Sequence, residues 1–184
     1  MGTFFLNWTP PGGLNSTAQR VEYKAATSST WLTATTLGAT ASSYTVVDLL
    51  DNVIYDFRIV NICTFGGPIP GSSMQDIDFV CPTVNTTPAS DTIGFNFSHL
   101  GGSITSYGVA LLDGAGSSTL DSKTISSPGS VVADSFTGLD ATTNYNLQVT
   151  MHAGVHEKVC PVVPVMTTAV PTCGIPSGLV VSIG

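Results

Sequence analysis

Charge is what this sequence has least of. Charged residues make up 9% of its 184 positions, and the cations are Arg20, Lys24, Arg58, Lys123 and Lys158. The net charge is −7. A surface so short of cations cannot neutralise a run of phosphates, so no nucleic-acid partner is expected. The same shortage argues against an anionic membrane surface, and every apolar run falls well below the ~18–20 residues of a membrane-spanning helix. Met1-Gly2-Thr3 leads straight into Phe4-Phe5-Leu6 with no basic segment and no cleavage site, so no export leader is read there and synthesis in the cytoplasm is expected. Helical periodicity is nearly absent, as is the Glu/Lys/Ala richness of helical proteins.

Chemistry-bearing patterns are equally scarce. The cysteines Cys63, Cys81, Cys160 and Cys173 include no CxxC pair, and their spacings fit no zinc pattern. They could form two bridges; a cytoplasmic origin favours buried or half-buried free thiols acting as small hydrophobes. His152 and His156 flank Gly154 in a hairpin pattern, where a spacing of four does not bring two rings to one face; with Glu157 beside them only a weak metal site is imaginable, and exposed loop histidines are expected. His99 falls in a turn. Asp76 and Asp78 alternate along one strand face, which reads as a solvated edge, and Asp113 and Asp121 lack the dense spacing of a calcium loop. No nucleophile elbow, P-loop or dinucleotide fingerprint occurs. Neither an enzyme, a cofactor nor a metal is expected. Trp31, Tyr44 and Phe65 could form a stacking platform for a glycan, although Trp31 reads more naturally as a cover over a strand edge.

What the sequence does have is period-2 alternation in Ser-, Thr-, Gly- and Val-rich surroundings. Strands are read at 4–8, 20–24, 31–35, 43–47, 55–61 and 77–80, and a second series at 92–98, 106–112, 122–125, 131–136, 144–151 and 159–167. Pro161 and Pro164 limit the last to an edge or a bulged strand. The two series correspond. Leu49 stands six residues before Tyr55, and Leu139 six before Tyr145, each with a polar turn between. That is a tyrosine corner, in which the ring packs inward and the hydroxyl meets backbone near the turn. Leu6-Asn7-Trp8-Thr9 likewise matches Phe95-Asn96-Phe97-Ser98, which places Trp8 and Phe97 in the early core strand of each unit.

At these residues the chain resembles fibronectin type III domains. The match over residues 3–81 runs through Trp8 with Pro10-Pro11, Val21-Glu22-Tyr23-Lys24 and the Leu49/Tyr55 corner. Over 82–170 it is looser, since Phe97 replaces the Trp and no proline pair follows. The resemblance implies an all-β chain of two tandem Greek-key β-sandwiches of the fibronectin type III/Ig-like type, with units at 1–81 and 82–170 and limited bending between them. A fold of this kind is a scaffold and says little about function. In that family the Trp lies on the second strand, so the first unit is expected to lack its first strand. Residues 171–184, meanwhile, carry Leu179, Val180, Val181 and Ile183 in a strand-like run with no domain behind it. An uncovered strand of about four apolar side chains forgoes on the order of 6–12 kcal/mol, comparable to the ~5–15 kcal/mol stability of a whole domain. These four residues are therefore the candidate assembly strand, added to another sandwich such as the first unit of a neighbouring copy or docked on another protein; the plainer alternative is a frayed or cut chain end.

Two settings are consistent with this reading. The repeat, with cysteines near strand ends and the Val21–Lys24 stretch, resembles proteins of Bacteroidetes and their phages, in particular the auxiliary capsid proteins of crAss-like phages. That resemblance implies a structural virion protein made in the host cytoplasm, a capsid decoration touching the major capsid protein, other virion proteins or copies of itself. The alternative is a piece of a secreted bacterial cell-surface or glycan-binding protein that uses the units as spacers or adhesion modules, in which case the cysteines would be oxidised.

Overall fold

The structure, a computed structural model, describes residues 1–11 and 15–171. All regular elements among them are strands. Seven lie in the first unit: β1 (Gly2–Asn7), β2 (Ser16–Ala25), β3 (Leu32–Gly38), β4 (Ser43–Leu49), β5 (Ile54–Cys63), β6 (Pro68–Pro70) and β7 (Met74–Ile77). Eight follow: β8 (Asn85–Pro88), β9 (Thr92–Ser98), β10 (Ser106–Asp113), β11 (Thr119–Ser126), β12 (Val131–Thr137), β13 (Asn144–Ala153), β14 (His156–Val159) and β15 (Val163–Met166). Every pairing is antiparallel.

The two units share one wiring and differ at one edge. In each, a larger sheet runs β3-β2-β5 or β11-β10-β13, with its last strand broken in two: β6 and β7 pair with β5, β14 and β15 with β13. Prolines cause the breaks, because a ring nitrogen cannot donate to a ladder and suits only an edge. Pro68 and Pro70 sit in β6, and Pro161 and Pro164 bracket the start of β15. The expected single strands at 77–80 and 159–167 are therefore each replaced by two short ones, with residues 78–80 outside β7. The opposing sheet is β12-β9-β8 in the second unit but only β1-β4 in the first. The strand corresponding to β8 has no counterpart among the described residues of the first unit. β8 itself was not expected: Asn85-Thr86-Thr87-Pro88 is polar on both faces and has no hydrophobic alternation to reveal it.

The cores reflect this difference. The second is built on Ile93, Phe95, Phe97, Tyr107, Leu147 and Val149, all nearly inaccessible. The first is smaller, centred on Phe4, Val21, Val46, Leu49, Tyr55 and Phe57, with Leu6, Trp8 and Ile59 only partly covered. Ile77 at the end of β7 belongs to the second core, and Ile54 and Phe79 pack against it. The units thus share apolar contacts as well as chain.

One bridge corrects an expectation. Cys81 and Cys160 form a disulfide between residues 79 apart, so these two are not free thiols. Cys160 donates its amide to Val149 at 2.8 Å, which sets it where the segment leading into β8 passes. A contact between strands so distant in sequence is a product of sheet pairing and is invisible to spacing. Cys63 remains a half-buried thiol; Cys173 and the assembly-strand residues Leu179, Val180, Val181 and Ile183 lie outside the described residues.

Candidate functional site

Both corners are formed from the residues singled out for them. Tyr55 Oη accepts the Leu50 amide at 3.2 Å, and Tyr145 Oη accepts the Asp140 amide at 3.1 Å. Tyr55, Leu49 and Tyr145 are buried, and Leu139 is partly buried against the second core. A further tie in the second unit was not anticipated: Thr167 is fully buried, its hydroxyl accepting the Thr143 amide at 3.0 Å and donating to the Asp140 carbonyl at 2.6 Å. A lone threonine in a Ser/Thr-rich chain carries no signal for that role.

Trp8 and Phe97 part company. Phe97 is 1% exposed inside the second core. Trp8 follows the end of β1, packs against the first core on one side and donates its indole N–H to the buried Gln19 amide oxygen. Its other side lines a groove of about 620 Å³ between β1 and the β5-β6-β7 edge. Leu6, Ile59, Ile69, Met74 and Phe5 line the same groove. Phe5, Ile69 and Met74 are 67%, 56% and 71% exposed, so three large apolar side chains meet solvent around one cleft. Contiguous apolar exposure of this kind marks an interaction surface. The backbone adds to it, since β1 pairs with β4 alone and its other edge is unpaired among the described residues.

The polar residues form a different feature, on the outer face of the β3-β2-β5 sheet. Glu22, 5% exposed, takes Arg20 Nε at 2.6 Å and Arg58 at 2.7 Å. The Arg58 guanidinium stacks over Trp31 at 4.1 Å from the ring centroid, with Lys24 on the ring at 5.4 Å. Lys24 also pairs with Asp56 at 2.7 Å. That hydrogen bond, the largest influence, holds the Asp56 carboxyl below the ordinary carboxylate range against an opposing desolvation. Three of the five cations are thereby spent on one strip, where they pair with two carboxylates. The stacking platform is not assembled: Trp31 is overlaid by cations, Tyr44 packs against the first core and Phe65 stands 78% exposed in the β5–β6 turn.

No cluster of three metal-ligating groups occurs among the described residues. His152 and His156 lie on the paired strands β13 and β14 rather than in a loop, half-buried, with His152 Nδ1 3.8 Å from Glu157. His99 Nδ1 meets Tyr107 Oη at 3.1 Å, and burial raises the Tyr107 phenol above its ordinary value. Asp76 and Asp78 serve backbone: Asp76 accepts the Ile77 amide at 2.8 Å and Asp78 the Thr3 amide at 3.1 Å. Asp113 accepts the Ser117 amide at 2.8 Å, which with its neighbours draws its carboxyl below the usual range.

The junction between units is built on Asn52. It is 4% exposed with φ 59°, a left-handed conformation that asparagine tolerates better than most. Its amide donates to the Asp78 carbonyl at 2.8 Å, its carbonyl accepts the Ser103 amide at 2.7 Å, and its side-chain oxygen accepts the Val80 amide at 3.0 Å. Ser103 Oγ in turn accepts the Ile54 amide at 3.0 Å. Gly102, at φ 66°, lies so close that a Cβ there would come within 2.4 Å of the Asn52 carbonyl. These junction residues carry no recognisable motif.

No family model matches this sequence, and no curated protein matches it either. Among solved structures, a two-domain fibronectin type III segment of chicken tenascin aligns with a TM-score of 0.60 at 15% identity, over 91% of this chain and 92% of that one. Chicken interferon gamma receptor alpha chain (TM-score 0.46, 16% identity, 91% and 97% covered) and the first three fibronectin domains of chicken CNTN1 (TM-score 0.41, 14% identity, 90% and 60% covered) align less closely. With its wiring, its two tyrosine corners and the tenascin segment's match along both units, the chain has the fold of a tandem pair of fibronectin type III domains.

Proposed function

We propose that the chain is a structural protein-binding module of a bacteriophage virion. In this reading it is a capsid auxiliary or decoration protein, of the crAss-like kind its repeat resembles, holding to the capsid surface and to neighbouring copies. One observation carries the reading: the open β1 edge beside an apolar groove, on a fold that otherwise closes its cores. An ion-paired strip on the opposite sheet and a hydrogen-bonded junction tie the units internally, which suits a part that must present one face reproducibly. The spacer or interaction role common to tandem sandwiches is the coarser form of the same proposal.

The Cys81–Cys160 disulfide favours a second reading, a secreted cell-surface or glycan-binding protein, because such bridges persist in oxidising surroundings. An antibody raised against the purified chain separates the two. Gold labelling of virion heads in a lysate of the infected host is the expected result. Bare heads with labelled surfaces of intact uninfected cells would overturn it in favour of the second reading.

A further inference from the structure

The second sandwich shows what covers the place equivalent to the groove of the first. Ile59 and Val149 each stand four residues after a corner tyrosine, and each accepts at 2.8 Å an amide from the edge strand, Gly71 in one unit and Cys160 in the other. Gly71 and Cys160 are thus equivalent positions. In the second unit Val149 and Cys160 lie against Cys81-Pro82-Thr83-Val84, which leads into β8 and is tied there by the disulfide. In the first unit Ile59 and Gly71 line the open groove instead. The same holds on the opposing sheet. Phe95 and Phe97, under β8, are 2% and 1% exposed, while their counterparts Leu6 and Trp8 remain partly exposed beside the free edge of β1.

We infer that the groove is filled by the segment Cys173–Ile183 of a second copy of this chain, added antiparallel to β1 as β8 is added to β9. The segment repeats the pattern of the piece it replaces: a cysteine near the head, a proline, then a strand-length run. Its alternating Leu179, Val181 and Ile183 supply apolar side chains to an apolar cleft, where Thr86 is the one partly covered residue of β8. The inference rests on the assembly role proposed above and names the partner.

Reach decides for a second copy over the chain's own tail. The last described anchor, Thr168, donates to the Ala89 carbonyl, next to Thr143 at the start of β13. The first sandwich touches the other end of β13, near Gly154 and His152. β13 has ten residues, about 34 Å of strand. By the β8–β9 register an added strand enters at the Asn7 end of β1, the end away from the junction, a further ~20 Å. Residues 169–178 extend at most about 36 Å, too short for both legs. Between copies the same tail simply repeats the head-to-tail step that joins the first unit to the second.

The position of Gly71 supplies a test, since no cysteine there can trap the strand as Cys160 traps the β8 segment. In the full chain with Cys63→Ser, the added change Gly71→Cys should yield, under oxidised glutathione, a ladder of disulfide-linked species in 19.0 kDa steps. Cys173→Ser should abolish the ladder, and deletion of residues 174–184 from the unaltered chain should abolish concentration-dependent association in sedimentation. A monomer that stays unlinked, or one closed by an intrachain 71–173 bond, with circular dichroism melting unchanged, would overturn the inference. Labelled virions without a ladder sink the strand exchange alone. A ladder with bare virions leaves the exchange standing and moves it to another setting.

Discussion

Asp56 and Lys24 illustrate how single residues are tuned in a protein with few charges to use. The carboxyl is held below its ordinary range mainly by the Lys24 hydrogen bond, so its ionised form is favoured in the folded state. A depressed carboxyl adds stability above its unfolded value of about 3.9, and that stability disappears as pH falls through the lower folded value. Asp56→Asn should therefore destabilise the chain at pH 7 by roughly 1.5–3 kcal/mol, the worth of one hydrogen bond to a charged group. The difference from the parent should shrink towards zero as pH falls below about 3.9 and through the lower folded value, in urea titrations run across pH. A difference that persists undiminished in acid would show that packing, not the charge, is responsible. Glu22 is the other residue whose role depends on its neighbours. Its near-complete burial is tolerated because Arg20 and Arg58 both donate to it.

Among the elements, the segment Cys81–Pro88 does more than its four-residue strand suggests. β8 adds few apolar contacts, with Thr86 the one residue of it that is even partly covered. It is held by pairing to β9 and by the bridge to Cys160. Closing a loop across a separation of 79 residues restricts the unfolded chain by about 4–5 kcal/mol in the chain-entropy account. Cys160→Ser should lower the melting temperature of the second unit by roughly 15 °C or more and should open its β8 edge. Hydrogen exchange would then speed up at Thr86–Thr87 while the β10-β13 ladder stays protected. Equal protection at β8 in both proteins would mean that the strand holds without its bridge. The first unit, whose corresponding edge is already open, is the built-in comparison.

For the whole molecule the consequential feature is the junction. Asn52, Ser103 and Gly102 meet through three elements' ends, and Ile54, Ile77 and Phe79 carry first-unit side chains into the second core. Gly102 makes its close approach to Asn52 at this junction. Gly102→Ala brings a Cβ against the Asn52 carbonyl and also strains a φ of 66°. It should cost roughly 1–3 kcal/mol at the junction and loosen the pair. X-ray scattering would report a larger radius of gyration, and separate melting of the two units would replace a shared transition. Unchanged scattering would show that the apolar contacts alone hold the angle.

Much of this was legible in the residues. Alternation located nearly every long strand, because a half-buried sheet face forces a period of two whatever the partner. The Leu49/Tyr55 and Leu139/Tyr145 spacings pointed to both corners, since a corner is a local device closed within six residues. The first unit's lack of a partner strand beside β1 among the described residues was visible for the same reason: counting strands needs only local pattern. Pairing across the sheets was not legible. Nothing in their spacing joined Cys81 to Cys160, the polar β8 carried no alternation, and Asn52 looked like any turn residue. Those depend on which distant segments lie side by side, and sheet topology, not local preference, sets that. The groove belongs to the same class. Its apolar lining comes from four separate strands and their turns, so only their assembly into an open sandwich could bring Phe5, Trp8, Ile59, Ile69 and Met74 around one cleft.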